Sequence, residues 1–194
     1  MIYDISAETL GSPVYPGDPP PQLKTVSAIK NGDGCNLTAL SMSSHAGTHV
    51  DAPAHFLERG DTIGQLDLAL FIGECHVVSA SPSLLTGADI DKILELRPQR
   101  LLIKGEGRTH LTRSAAFALA SGGVQLVGID AQSIAATDGE QAEVHRELLA
   151  ADVPILEGLR LRDVQPGVYF LFAPPVNIGA AEGAPCRAVL LSDD

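Results

Sequence analysis

The 194-residue chain has no tryptophan, and aromatic residues make up only 4% of it. So thin an aromatic content weighs against a platform on which nucleic-acid bases stack. Basic residues are scarce as well: 13 Lys and Arg stand against 24 Asp and Glu, a formal net charge of −11. A nucleic-acid binder needs a basic footprint and a peripheral membrane protein needs a basic face toward anionic lipid, so neither partner is expected. The three cysteines, Cys35, Cys75 and Cys186, are odd in number, widely spaced and form no CxxC pair. They exclude a zinc ribbon and a thioredoxin-like motif, and read as reduced, mostly buried thiols. No apolar run is long enough to span a bilayer. The uncharged stretch from Ser114 to Ile129 is short and is broken by Ser121, Gly122, Gly123 and Gln125. Met1-Ile2-Tyr3-Asp4 has neither the basic nor the apolar segment of a secretory leader, so a cytoplasmic location is expected. No GxSxG elbow and no P-loop occurs, and Gly105-Glu106-Gly107 lacks the third glycine of a dinucleotide fingerprint.

What is present is a globular composition, 45% hydrophobic and 19% charged. The length suits one domain over residues 1–194, able to bury a core without disulfides. Pro13, Pro16 and Pro19-Pro20-Pro21 mark a stiff surface loop. Leu23 to Ile29 and Leu37 to Met42 read as strands joined by the turn Asn31-Gly32-Asp33-Gly34. Glu74 to Ala80, bounded by Gly73 and Pro82, is a further β-branched run. Thr86 with Asp89 forms a capping box for a helix through about Leu96. Leu101 to Lys104 is a strand, and Thr112 caps a helix that stops at Gly122-Gly123. The continuous apolar run Val124 to Ile129 suits a strand covered on both faces. A helix from about Gly139 to Ala151 would present Val144, Leu148 and Ala151 as one stripe. Strands follow at Val153 to Leu156, Val168 to Ala173 and Ala188 to Leu191. Strands and helices mixed in this way predict an α/β layered fold, a mixed sheet with packed helices.

Three of the six histidines lie within eleven positions, in His45-Ala46-Gly47-Thr48-His49-Val50-Asp51-Ala52-Pro53-Ala54-His55. Imidazole and carboxylate suit zinc and neighbouring divalent metals. Gly47, the β-branched Thr48 and Val50, and Pro53 disfavour a helix here. On a strand, His49 and Asp51 share a face with Cα atoms roughly 7 Å apart, close enough to share one ion. Full extension would set His45 roughly 13 Å from His49, so the chain must bend, and Gly47 permits the bend. Pro53 turns the chain again before His55. His76, in mid-strand, and His110 read as surface or satisfied core residues. From composition and spacing alone, His145 reads as a helix-surface residue and Glu157 as an exposed or capping one.

The segment from His45 to His55 resembles the HxGTHxDxPxH signature of the cyclase-type metal-dependent hydrolases, which include bacterial kynurenine formamidases (arylformamidases) and isatin hydrolases. The similarity extends to Pro13-Val14-Tyr15-Pro16-Gly17-Asp18, Leu126-Val127-Gly128-Ile129-Asp130 and Ile155-Leu156-Glu157-Gly158-Leu159. The resemblance implies a ββα swivelling-type fold and a set of roles. His45, His49 and Asp51 match the ligands of a first metal. Asp51 can bridge to a second metal, for which His145 and Glu157 match the remaining ligands. His55 matches the catalytic acid/base. Isatin hydrolases resemble this pattern but carry Gln at the Glu157 position and hold one metal, so Glu157 points to two ions per chain, zinc in the first place and manganese as the alternative. The chain departs from the family at Tyr15, where members often carry Trp along the substrate pocket. It departs again at Ala131-Gln132-Ser133-Ile134-Ala135, where many continue Ser/Thr-Pro-Ser-Val-Asp. The implied activity is hydrolysis of N-formyl-L-kynurenine to L-kynurenine and formate by metal-activated water. The alternatives are hydrolysis of a cyclic amide, imide or lactone, or a catalytically silent metal-binding protein. A small-molecule amide is the implied partner, and a homo-oligomer, dimer or tetramer, the implied assembly.

Overall fold

The computed structural model describes residues 1–81, 83–136 and 140–192. In chain order its strands are β1 (Ile2–Asp4), β2 (Gln22–Ser27), β3 (Leu37–Ser41), β4 (His49–Asp51), β5 (Ile72–Ser79), β6 (Leu84–Leu85), β7 (Arg100–Lys104), β8 (His110–Leu111), β9 (Leu126–Ile129), β10 (Ile155–Glu157), β11 (Gly167–Phe172), β12 (Gly183–Pro185) and β13 (Val189–Leu191). The α-helices are α1 (Gly87–Leu94), α2 (Arg113–Ser121) and α3 (Gln141–Leu149). Among the described residues, nine strands form one mixed sheet in the order β1-β13-β11-β5-β7-β9-β10-β4-β12. The central four, β5, β7, β9 and β10, run parallel, and each successive pair is joined through one α-helix.

Side chains on successive strand residues point to opposite faces, and the core divides accordingly. Leu101, Ile103, Val127, Ile129 and Ile155 face the helices, where Ile90, Ala115, Leu119, Val144 and Leu148 meet them. Leu102, Leu126 and Leu156 face the other way, into a second cluster with Val50, Phe71, Leu171 and Leu190. The helix starts behave as their sequences require. Thr86 and Asp89 make the capping box of α1. Thr112 Oγ1 accepts from the Ala115 N–H at 3.3 Å, a cap worth about 1 kcal/mol.

The helices leave one end of their own face bare. Val168, Phe170 and Phe172 on β11, with Leu191 and Ile2 across the ladder, are exposed there. The β2–β3 hairpin forms a separate two-stranded sheet whose Leu23, Val26, Leu37 and Leu40 are exposed. Among the described residues no helix is long and apolar enough to cross a membrane.

The structure corrects several expectations. The first hairpin strand ends at Ser27 rather than Ile29, because side chains compete for the backbone beyond it. Asp33 Oδ2 accepts from the Ala28 N–H and Asn36 Oδ1 from the Ile29 N–H, and a 3-10 turn replaces the ladder. Helix α3 ends at Leu149, so Ala151 lies past it and is exposed; the buried residues are Val144, His145, Leu148 and Leu149. Gly139, the expected start of that helix, and Pro82, the expected bound of the β5 run, lie outside the described residues. Of the thiols only Cys75 is fully buried; Cys186 is partly buried and Cys35 is exposed. Burial pushes the Cys75 and Cys186 thiols up to about 12, so both stay protonated and unreactive. The edge strand β12, Gly-Ala-Pro, carries no strand signal; proline is tolerated there because an edge strand needs no second ladder partner.

Candidate metal centre

The site is assembled by the register of three antiparallel strands. His49 of β4 lies opposite Glu157 of β10, and Asp51 lies opposite Ile155. Val50 and Leu156 belong to the cluster on the far side of the sheet, so His49, Asp51 and Glu157 share the helix-covered face. All three are buried, as is His145, which α3 lowers onto them. His45 reaches the group through a bend. Gly47 adopts φ +69°, in the left-handed region, and a Cβ there would sit 3.0 Å from the Thr9 backbone. Thr48 locks the bend: its hydroxyl donates to the Gly158 carbonyl at 2.6 Å and accepts from the Ala7 N–H at 2.8 Å. Pro53 opens a 3-10 turn, Pro53–His55, that brings His55 back over the site. The His55 ring lies 4.1 Å from that of His45 and 6.1 Å from that of His145.

Among the described residues, two groups of side chains offer one ligand atom each within 4.8 Å of one another. One is His45, His49 and Asp51; the other is Asp51, His145 and Glu157. Asp51 belongs to both. His45 Nδ1 is 2.8 Å from Asp51 Oδ1, and His49 Nε2 is 3.5 Å from both Asp51 Oδ1 and Glu157 Oε2. His145 Nε2 lies 3.3 Å from Glu157 Oε1 and 3.8 Å from Asp51 Oδ2. The backbone sets the tautomers. His49 Nδ1–H donates to the Gly47 carbonyl at 2.9 Å and His145 Nδ1–H to the Gln141 carbonyl at 2.7 Å. A carbonyl can only accept, so in the neutral ring each Nε2 keeps its lone pair turned toward the carboxylates. Outer-shell bonds of this kind orient metal-binding histidines. Glu157 Oε1 is fixed in turn by the Ile134 N–H at 2.7 Å and the Ser133 hydroxyl at 3.4 Å.

Asp51 Oδ2 tests whether these residues fit a metal. It is fully buried and has no hydrogen-bond partner among the described residues. A buried carboxylate oxygen without a donor is costly, and a cation is the group that would satisfy it. Two buried carboxylates with two buried imidazoles and the half-buried His45 form a donor set for hard to borderline divalent ions.

The electrostatics follow from the same packing. Burial alone pulls the His49 imidazole down, but hydrogen bonding to Glu157 and the charges of Asp51 and Glu157 overcome it and raise the value to about 9. His145 and His45 are raised against the same burial, mainly by Glu157 and Asp51 respectively. Burial would raise the Glu157 carboxyl, yet His145 and His49 hold it well below the usual range. His55 goes the other way. Burial lowers it, Asp51 opposes that, and its neighbours His45 and His145 lower it further, so the ring is neutral near pH 7.

A pocket of about 190 Å³ opens over this face. Tyr15, Phe56, Gln132 and Gln141 line it beside the histidines and Glu157. The Phe56 ring stacks on His145 at 4.5 Å, and the Tyr15 hydroxyl donates to Gln141 Oε1 at 2.9 Å.

His45, His49, His55, His145 and Glu157 line this pocket and Asp51 lies beneath them within both ligand groups, whereas His76 and His110 stay outside, His110 Nδ1 donating to the Ser133 carbonyl. The surface readings of His145 and Glu157 from spacing alone are overturned: their side chains are 2% and 5% exposed. Sequence reasoning missed Ser133, the Ile134 amide and Glu182. Glu182 precedes a strand with no sequence signal, so only the pairing of β12 with β4 reveals it.

Known proteins resemble this chain in sequence and in fold. Residues 3–136 match the family described as "Putative cyclase". The chain is 38% identical, over an alignment of 211 residues, to the kynurenine formamidase of Paracidovorax citrulli (strain AAC00-1), covering 98% of this chain and 96% of that one. A solved structure described as a predicted metal-dependent hydrolase from Bacillus stearothermophilus superposes with a TM-score of 0.82 at 31% identity, covering 98% and 97% of the two chains. Isatin hydrolase A from Labrenzia aggregata, bound to benzyl benzoate, superposes with a TM-score of 0.83 at 20% identity, covering 100% and 94%, a likeness of fold.

Proposed function

Because the chain belongs to the cyclase family, we propose that it is a metal-dependent hydrolase of carbon–nitrogen bonds other than peptide bonds, acting first on N-formyl-L-kynurenine to give L-kynurenine and formate. The observation that carries the reading is Asp51, shared by two ligand groups and holding a buried oxygen that no donor among the described residues reaches. His45, His49 and Asp51 would hold a first divalent ion, and Asp51, His145 and Glu157 a second. Zinc is the metal proposed, with manganese as the alternative. Ions bound there supply Lewis acidity to an amide carbonyl and to a water.

The chain's own residues supply the rest. His55, neutral near pH 7, is poised as a general base for the attacking water. The same ring then holds the proton that the departing amine needs, since an amine leaves poorly as an anion. Tyr15 and Phe56 offer an aromatic wall to the ring of an aryl amide, and the side-chain amides of Gln132 and Gln141 offer hydrogen bonds to its polar groups. The assay is loss of formylkynurenine absorbance by protein depleted of metal and then reloaded with zinc. Metal-restored turnover supports the reading. Turnover of a cyclic amide alone would favour an isatin-hydrolase-like activity, and no turnover of either class would leave a metal-binding protein.

We propose a cytoplasmic location, and the bare hairpin and the exposed apolar end of the sheet support a homo-oligomer, a dimer or tetramer. An isolated two-stranded hairpin is marginal in water without a covering partner. A monomeric mass by light scattering would contradict that assembly.

A further inference from the structure

Glu182 lies outside both ligand groups, yet it touches one of their members. It immediately precedes β12, whose Gly183 pairs with Asp51 and whose Pro185 pairs with His49. Its carbonyl accepts from the Ala52 N–H at 2.9 Å, so the ladder fixes its backbone beside the metal-binding strand. Its Oε1 accepts from the Ser44 hydroxyl at 2.6 Å and lies 3.2 Å from His45 Nε2. A Cβ at position 183 would stand 2.6 Å from His45 Cε1, so the ring packs flush against Gly183 and has little room to turn.

We propose that Glu182 is the positioning residue of His45, accepting from Nε2–H so that Nδ1 is presented beside Asp51 as the ligand atom for the first ion. The inference rests on the metal reading above and adds a residue to it. With Nδ1, 2.8 Å from Asp51 Oδ1, given to an ion it carries no proton, so the proton of a neutral His45 ring is then on Nε2, where Glu182 Oε1, an ionised carboxylate that can only accept, lies 3.2 Å away. His45 is thus oriented in the opposite sense to His49 and His145, whose Nδ1–H groups are held by backbone carbonyls and whose Nε2 atoms face the site. Those two rings are held by groups that substitution cannot remove. The His45 nitrogen turned away from Asp51 instead meets a side chain, the half-exposed Glu182, with Ser44 as its latch. Outer-shell partners of ligand histidines typically contribute ten- to a hundredfold in metal affinity.

The test compares wild type, Glu182→Ala, Glu182→Gln and Ser44→Ala by competition of a chelator for bound zinc and by the visible spectrum of the cobalt-substituted protein. Glu182→Ala is expected to weaken one ion by about 10- to 100-fold, to leave the other in place, and to alter the cobalt bands. Glu182→Gln, which keeps an acceptor oxygen, should recover most of the affinity, a rescue that loss of a mere surface latch would not produce. A folded Glu182→Ala protein with wild-type zinc affinity and an unchanged cobalt spectrum would overturn the proposal. Should Glu182→Ala lack a cooperative melt, Ser44→Ala decides: several-fold weaker zinc binding supports the role and wild-type affinity overturns it. A folded wild type that binds no zinc or cobalt at all would instead overturn the underlying metal reading, and this proposal with it.

Discussion

Glu157 stands directly opposite His49 across the β4–β10 ladder, with His49 Nε2 3.5 Å from Glu157 Oε2. Residues 108 positions apart in sequence thereby meet on one buried face. A slip of one residue in either strand would turn that strand's site residues to the opposite face, among Phe71, Leu171 and Leu190. The pairing therefore serves both the sheet and the proposed metal centre.

Removing a proposed central ligand tests the first consequence. His49→Ala should lose most bound metal and nearly all hydrolysis, because His49 Nε2 faces both carboxylates of the site. Elemental analysis of the purified variant checks this. Full metal occupancy would remove His49 from the ligand set.

Ligation and proton transfer separate at His55. The His55→Ala protein should keep its metal and its fold but turn over roughly 10²–10⁴ times more slowly, the usual contribution of a general acid/base. Steady-state kinetics beside metal analysis make the comparison. Near-normal turnover at neutral pH would reduce His55 to a packing role against His45 and Phe56.

The buried charges predict a pH dependence for metal-depleted protein. The His49 value is raised from an ordinary 6.5 to about 9 on folding, so its contribution is complete below 6.5 and is lost as pH rises through 9. His145 and His45, also raised, act in the same direction. Glu157, lowered from 4.5, contributes above 4.5 and loses that contribution only as pH falls. His55, lowered by burial, opposes the other histidines only below about its ordinary 6.5. Between pH 7 and pH 9 the cluster's contribution therefore falls, and the thermal midpoint of chelator-treated protein should fall with it. Added zinc should stabilise more at pH 9 than at pH 7, because ligation needs neutral imidazole. A zinc stabilisation that shrinks over that interval would contradict the assignment.

Much of this architecture was legible in the chain because local patterns agree with the global fold. Thr86 with Asp89, and Thr112 ahead of an apolar helix stopped by Gly122, mark their helix ends with capping chemistry that the structure uses. The bend at Gly47 followed from distance alone, since extended His45 and His49 could not meet. Burial of His145 and Glu157 had no local signal. Spacing cannot show that the face of α3 beside Val144 descends onto β4, nor that Glu157 takes its donors from Ile134 and Ser133. Family resemblance singled those two residues out, whereas Glu182 had neither signal, because its place depends on an edge pairing between Gly183 and Asp51.

The number of ions bears most directly on the account, since Asp51 as a shared ligand requires two. Metal stoichiometry by elemental analysis, with an anomalous-scattering map of the same preparation, measures it for wild type and for Glu157→Gln. Two ions per chain are expected in metal-replete wild type, falling toward one in Glu157→Gln with the ion at His45, His49 and Asp51 retained. One ion in the metal-replete wild type, held by His45, His49 and Asp51 alone, would contradict the two-metal centre.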